Sequence, residues 1–136
     1  MKFPKDRLYT EYHLWIKQQA DGALIGITEY AARELGDVDY VELPEPDDDL
    51  TKNVPFGIIE TSKAVTDLVA PISGSVIESN PEVIATPRLL TQDPYRDGWL
   101  VKVMPAPEED FADLIQPKDY QSLVDAEIEA SYPATH

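Results

Sequence analysis

The chain has 136 residues, 26 acidic against 11 basic, for a formal net charge of −15. That length suits one domain, and 43% hydrophobic residues are enough for a packed core rather than a disordered chain. The charge argues against nucleic acid, which is bound by neutralising phosphates with Lys and Arg, and against an anionic membrane surface. The absence of cysteine excludes disulfides, thiolate metal sites and a Cys nucleophile. No apolar run is long enough for a signal peptide or a membrane span, so a cytoplasmic protein is the expectation.

In chain order, Tyr12 to Ile16 reads as a first strand, and Asp21-Gly22 as a turn. Leu24 to Ile27 then returns as the second arm of a hairpin. Thr28 can cap a short helix through Leu35, with Glu29 in its first turn and Gly36 just past its end. Val38 to Leu43 alternates apolar and polar residues, as a half-buried strand should. The following Pro- and Asp-rich stretch reads as a surface loop. Asp47, Asp48 and Asp49 are a solvated acidic turn there, since no other ligand type lies nearby, and no metal site is expected.

Phe56 to Glu60 and Val65 to Val69 are two β-rich runs around a short polar segment. They predict a hairpin with Lys63 at or near its tip. Ala70 to Gly74 is a further turn, Ser75 to Glu78 a strand, Asn80 to Pro94 mainly loop, and Gly98 to Met104 a final strand. Pro107 and Pro117 each sit where a helix can begin. Phe111, Leu114 and Ile115 share one helical face, as do Tyr120, Leu123, Val124 and Ile128. Two C-terminal helices are therefore expected. Residues 105–136 carry eight acids against Lys118, a net of −7. Short strands and frequent Gly/Pro turns predict a mainly β fold, an antiparallel sandwich or flattened barrel completed by a helical tail.

Little in the chain offers chemistry of its own. The histidines are His13 and the terminal His136, too few for a triad or a zinc site. Lys63 is the one basic residue between Asn53 and Pro87, and a hairpin tip would hold its side chain clear of the sheet.

The residues around it carry a resemblance. Gly57-Ile58-Ile59-Glu60-Thr61-Ser62-Lys63-Ala64, then Asp67, then Ala70-Pro71-Ile72-Ser73-Gly74 resembles a lipoyl attachment hairpin. Ile25 to Glu29, Leu35-Gly36-Asp37, Val41 to Pro44, Asp93-Pro94-Tyr95 and Gly98-Trp99 extend the likeness over most of residues 7–104. The chain is similar to the glycine cleavage system H protein family. That resemblance implies a lipoyl/biotinyl-type flattened antiparallel β sandwich (a barrel-sandwich hybrid), with a carrier domain over 1–104 and a helical extension over 105–136 packed on it.

It also implies a carrier rather than an enzyme, with lipoic acid in amide linkage to Lys63. Glu60, Ala64 and Asp67 would present the lysine to a lipoylating enzyme, in the context of Thr61 and Ser62. Gly57 and Gly74 would serve hairpin geometry. His13, Leu14, Trp15 and Tyr30 would form an arm groove.

Three departures from the family stand out. The attachment motif reads Glu60-Thr61-Ser62-Lys63-Ala64 where the family has Glu-Ser-Val-Lys-Ala. Thr91 stands where the family has Asn. His13-Leu14-Trp15 stands for His-Glu-Trp, so the carboxylate that would partner a cationic aminomethyl amine is missing. That last change tilts the expectation toward the H-protein-like lipoate-binding proteins of sulfur oxidation, with a heterodisulfide-reductase-like complex and dihydrolipoamide dehydrogenase as partners. The alternative is glycine cleavage, with glycine decarboxylase and aminomethyltransferase as partners. An unmodified interaction module is the third.

Overall fold

Nine strands and four helices are formed among the residues described by the structure, a computed structural model covering 1–109 and 111–131. His136 and the rest of 132–136 lie outside them, as does Asp110. The strands are β1 (Leu8–Tyr9), β2 (Leu14–Gln19), β3 (Gly22–Ile27), β4 (Val38–Glu42), β5 (Asp49–Leu50), β6 (Pro55–Thr61), β7 (Val65–Val69), β8 (Gly74–Ser79) and β9 (Val101–Pro105). The helices are α1 (Glu29–Leu35), α2 (Pro81–Ala85), α3 (Leu89–Gln92) and α4 (Pro117–Ser131).

The strands pair antiparallel into two sheets. Six run β1-β2-β3-β9-β8-β5, and three run β4-β6-β7. No barrel closes. Strand alternation explains how the sheets meet. Leu14 and Ile16 of β2, Ala23, Ile25 and Ile27 of β3, and Val101 and Val103 of β9 face one side. They join Val41, Ile59 and Leu68 of the smaller sheet in one buried cluster. The opposite side of β1 and β2 builds a second, aromatic cluster of Tyr9, Trp15, Tyr30, Tyr120 and Val124. The Tyr120 ring stacks on Tyr9 at 4.5 Å, and the Arg7 guanidinium lies 4.6 Å over Trp15.

Several expectations are corrected. The strand expected first, over Tyr12–Ile16, is the second, after β1, and it begins at Leu14 because His13 has φ 66, outside extended geometry. The last strand begins at Val101, since Asn80 draws the preceding segment inward by donating its Nδ2–H to the carbonyls of Asp97 and Trp99. Residues 80–94 hold two short helices rather than mainly loop. Asn80 caps α2 by accepting from Glu82 N, and Pro81 sits at its first turn, where a missing N–H costs nothing.

Among the described residues, one C-terminal helix forms instead of two. The segment before it is held by the six-stranded sheet's edge, where Tyr9 and Ile115 exchange backbone hydrogen bonds of 2.9 and 2.8 Å. A residue tied into a bridge cannot keep helical dihedrals.

Candidate functional site

The β6–β7 hairpin projects Lys63 at its turn. Thr61 N donates to Ala64 O at 2.9 Å, closing the loop. The Thr61 hydroxyl oxygen then accepts from Lys63 N at 3.3 Å and Ala64 N at 3.2 Å. A threonine side chain bonded to backbone two and three residues ahead is a local brace for a turn. It gives the Thr61 departure a structural use. Ser62, Lys63 and Ala64 are all exposed, and among the described residues the Lys63 ammonium has no ion pair.

Gly57 of the hairpin is fixed by crowding, and so is Gly74, which starts β8 in the other sheet instead of serving the hairpin. A Cβ on Gly57 would collide with the Glu42 carbonyl of β4, and one on Gly74 with the Met104 carbonyl of β9. Only a residue without a side chain lets these backbones approach so closely.

Beside the hairpin lies an open cleft of about 230 Å³. Leu14, Ile27, Ala31, Leu35, Ile59 and Leu68 give it apolar walls. Tyr12, His13, Glu34, Thr66 and Asp67 give it polar ones. Thr66 is three residues from Lys63, roughly 10 Å along an extended strand. The cleft therefore lies within reach of a long group on that lysine. Glu34 comes from α1, which Thr28 caps by accepting from Ala31 N at 3.2 Å. Burial, then hydrogen bonding to Glu34, pushes the Tyr30 hydroxyl up to about 12. At neutral pH the Tyr30 hydroxyl is thus uncharged.

The four residues expected as a groove separate. His13 and Leu14 line the cleft. Leu14, 2% exposed, also belongs to the main core. Trp15 faces the other side of the sheet, donating its indole N–H to Pro94 O at 3.0 Å and covering Gly26. Tyr30 belongs to the aromatic cluster, with its ring 4.8 Å from His13. His13 is held from two sides. Its Nδ1 is 2.8 Å from the Tyr120 hydroxyl, and its Nε2 is 2.9 Å from Glu127 Oε2, so α4 fixes one cleft wall. Thr91 bonds only within its own turn, to Arg88 O.

Glu34 and Tyr120 were missed from sequence. Tyr30 and Glu34 stand four apart on a helix, a spacing that places them side by side and could have flagged Glu34. The long-range pairing of Tyr120 with His13 leaves no local signal.

A pair of antiparallel sheets, with an exposed lysine on a braced hairpin turn beside a shallow apolar cleft, defines a carrier fold rather than an enclosed catalytic pocket. Comparison with known proteins carries this further. The family model for the glycine cleavage H-protein matches residues 7–127. The glycine cleavage system H protein of Carboxydothermus hydrogenoformans is 43% identical over 124 residues, covering 91% of this chain and 95% of that one. That of Halothermothrix orenii is 42% identical over 120 residues, covering 88% and 94%. The crystal structure of the H protein from Mycobacterium marinum superposes with a TM-score of 0.80 at 36% identity, covering 88% of this chain and 96% of that chain.

The chain belongs to the glycine cleavage H-protein family. Proteins of this family carry lipoic acid covalently on a lysine and are not themselves catalysts. The matches favour the glycine cleavage branch and correct the expectation of a sulfur-oxidation role; heterodisulfide-reductase-like partners are not supported. The physical ground for that expectation also weakens. Leu14 fills core space, while another acidic residue, Glu34, lines the cleft. Among the described residues no helix is long and apolar enough to cross a membrane.

Proposed function

We propose that this chain is a glycine cleavage carrier, with lipoic acid attached at Lys63, that passes a one-carbon unit from glycine decarboxylase to aminomethyltransferase. The observation that carries the reading is the exposed Lys63 on its Thr61-braced turn, in a chain matched to the family over residues 7–127.

The residues fit such a group. Lys63 Nζ is free to be acylated, and acylation removes its charge, which lowers the cost of burial against Leu14, Ile59 and Leu68. Held there, lipoic acid would supply a redox-active disulfide able to carry a one-carbon unit, chemistry that this cysteine-free chain lacks. Glu34 supplies negative charge beside the apolar wall, where a cationic amine would be balanced without a carboxylate at position 14. Residues 1–104 act as the carrier body, with 105–136 as an extension whose α4 steadies His13.

Intact mass of the chain purified from its native host tests the attachment. A lipoyl mass increment that maps to Lys63 and disappears in Lys63→Arg is expected. An unmodified population, or an increment surviving Lys63→Arg, would overturn it.

A further inference from the structure

We infer that the outer face of the three-stranded sheet, centred on Tyr40, Glu60 and Val65, is the surface on which the lipoyl-attaching enzyme docks. This rests on Lys63 being the attachment site and extends it to a face assembled from three strands.

The strand register sets Tyr40 opposite Glu60, and Glu60 opposite Val65. Val41 and Ile59 point into the core, so this row points away from it. Tyr40 is 48% exposed and Val65 60% exposed. Adjacent strands lie about 4.8 Å apart, so the row spans roughly 10 Å. It ends beside the lysine turn: Glu60 is three residues before Lys63 and Val65 two after. An enzyme that places its reactive centre over Lys63 must lay part of its surface over this row.

The charge around the row states what that surface carries. The three strands contain Asp39, Glu42, Glu60 and Asp67, and no lysine or arginine. Alternation puts Glu42, Glu60 and Asp67 on this face, so a partner meets an exposed tyrosine and an exposed valine set among three carboxylates. Its complement is an apolar depression rimmed by Lys and Arg side chains. Aromatic anchors within a polar rim are where binding energy concentrates. In the reaction itself, the Lys63 amine attacks the carbonyl of lipoyl-adenylate. The new amide bond forms, AMP leaves, and the amine loses a proton.

The test is lipoylation of the full chain by an ATP-dependent lipoate ligase, followed by intact mass. Tyr40→Thr with Val65→Thr keeps strand-forming residues while removing the apolar contact. kcat/KM is expected to fall about tenfold or more, mainly through KM. Wild-type kcat/KM should also fall as salt rises. Met104→Thr, on the other sheet and 51% exposed, should stay within twofold of wild type.

If the double variant loses its cooperative melt, Glu42→Lys on the exposed edge replaces it, with a severalfold rise in KM expected. Wild-type kinetics in a folded double variant, or in Glu42→Lys, would overturn the docking face. So would normal lipoylation with impaired loading by glycine decarboxylase, which would assign the face to a later partner. An acyl group mapped to another lysine would instead refute the attachment site.

Discussion

Replacing Tyr120 with Phe removes one oxygen from the interior and leaves the ring. Tyr120 is fully buried, stacked on Tyr9 at an interplanar angle of 6° and met edge-on by Phe3. Phenylalanine keeps those contacts. The lost hydroxyl sits 2.7 Å from Thr28 Oγ1 and 2.8 Å from His13 Nδ1. Thr28 still accepts from Ala31 N, and His13 still meets Glu127, so neither partner is left wholly bare. Two hydrogen bonds at ~1 kcal/mol each give a loss of about 2 kcal/mol. With ~2.1 cal/mol/K per residue over the 136-residue chain, that is a fall in Tm of ~7 °C. Differential scanning calorimetry with urea titration measures both, and m should be unchanged. A Tyr120→Phe midpoint within 1 °C of wild type would refute the view that this hydroxyl ties α4 to α1 and to the cleft wall.

Further outcomes follow from the same geometry. Gly57→Ala, forced against the Glu42 carbonyl, should destabilise the chain by about 1–3 kcal/mol, seen as a lower urea midpoint. Thr61→Val, similar in shape without the hydroxyl, should leave the melt nearly unchanged but raise KM for lipoylation severalfold as the turn loosens. The Arg7 guanidinium bonded to Asp6 holds that carboxyl below its ordinary value against a smaller opposing effect of burial, and Lys17 adds to the lowering. A carboxyl depressed in the folded state stabilises it above the unfolded value of 3.8, and that stabilisation fades as pH falls through the lower folded value. The Tm gap between wild type and Asp6→Asn should therefore be full at pH 6 and close toward pH 2. A gap that widens with acid would contradict the pairing.

What sequence disclosed and what it hid divide along the range of the interactions. The Lys63 hairpin was legible because its signals are local: two β-rich runs around a short polar turn, with a glycine at 57. So was α1, whose Thr28 cap and Gly36 terminus lie next to the helix they bound. The helix expected around Phe111 has the right periodicity, but Leu114 packs into the core as Ile115 bridges to Tyr9, 106 positions away by number. Leu14 misled for a related reason. Comparing one position with a family motif showed a missing carboxylate. Only the folded chain shows that Glu34, from a different element, borders the same cleft. Trp15 and Leu14 are neighbours in sequence, yet strand alternation sends them to opposite sides of the sheet.

The most direct test of the account is loading. The chain is lipoylated, the modification mapped, the lipoyl disulfide kept oxidised as the acceptor of the decarboxylation electrons, and the protein mixed with glycine and a glycine decarboxylase beside a known H protein. Mass spectrometry should find the glycine-derived unit on the Lys63 peptide of the native sequence. Glu34→Gln should lipoylate normally and lose that unit faster on standing. An unloaded chain beside a fully loaded control would contradict the glycine cleavage assignment.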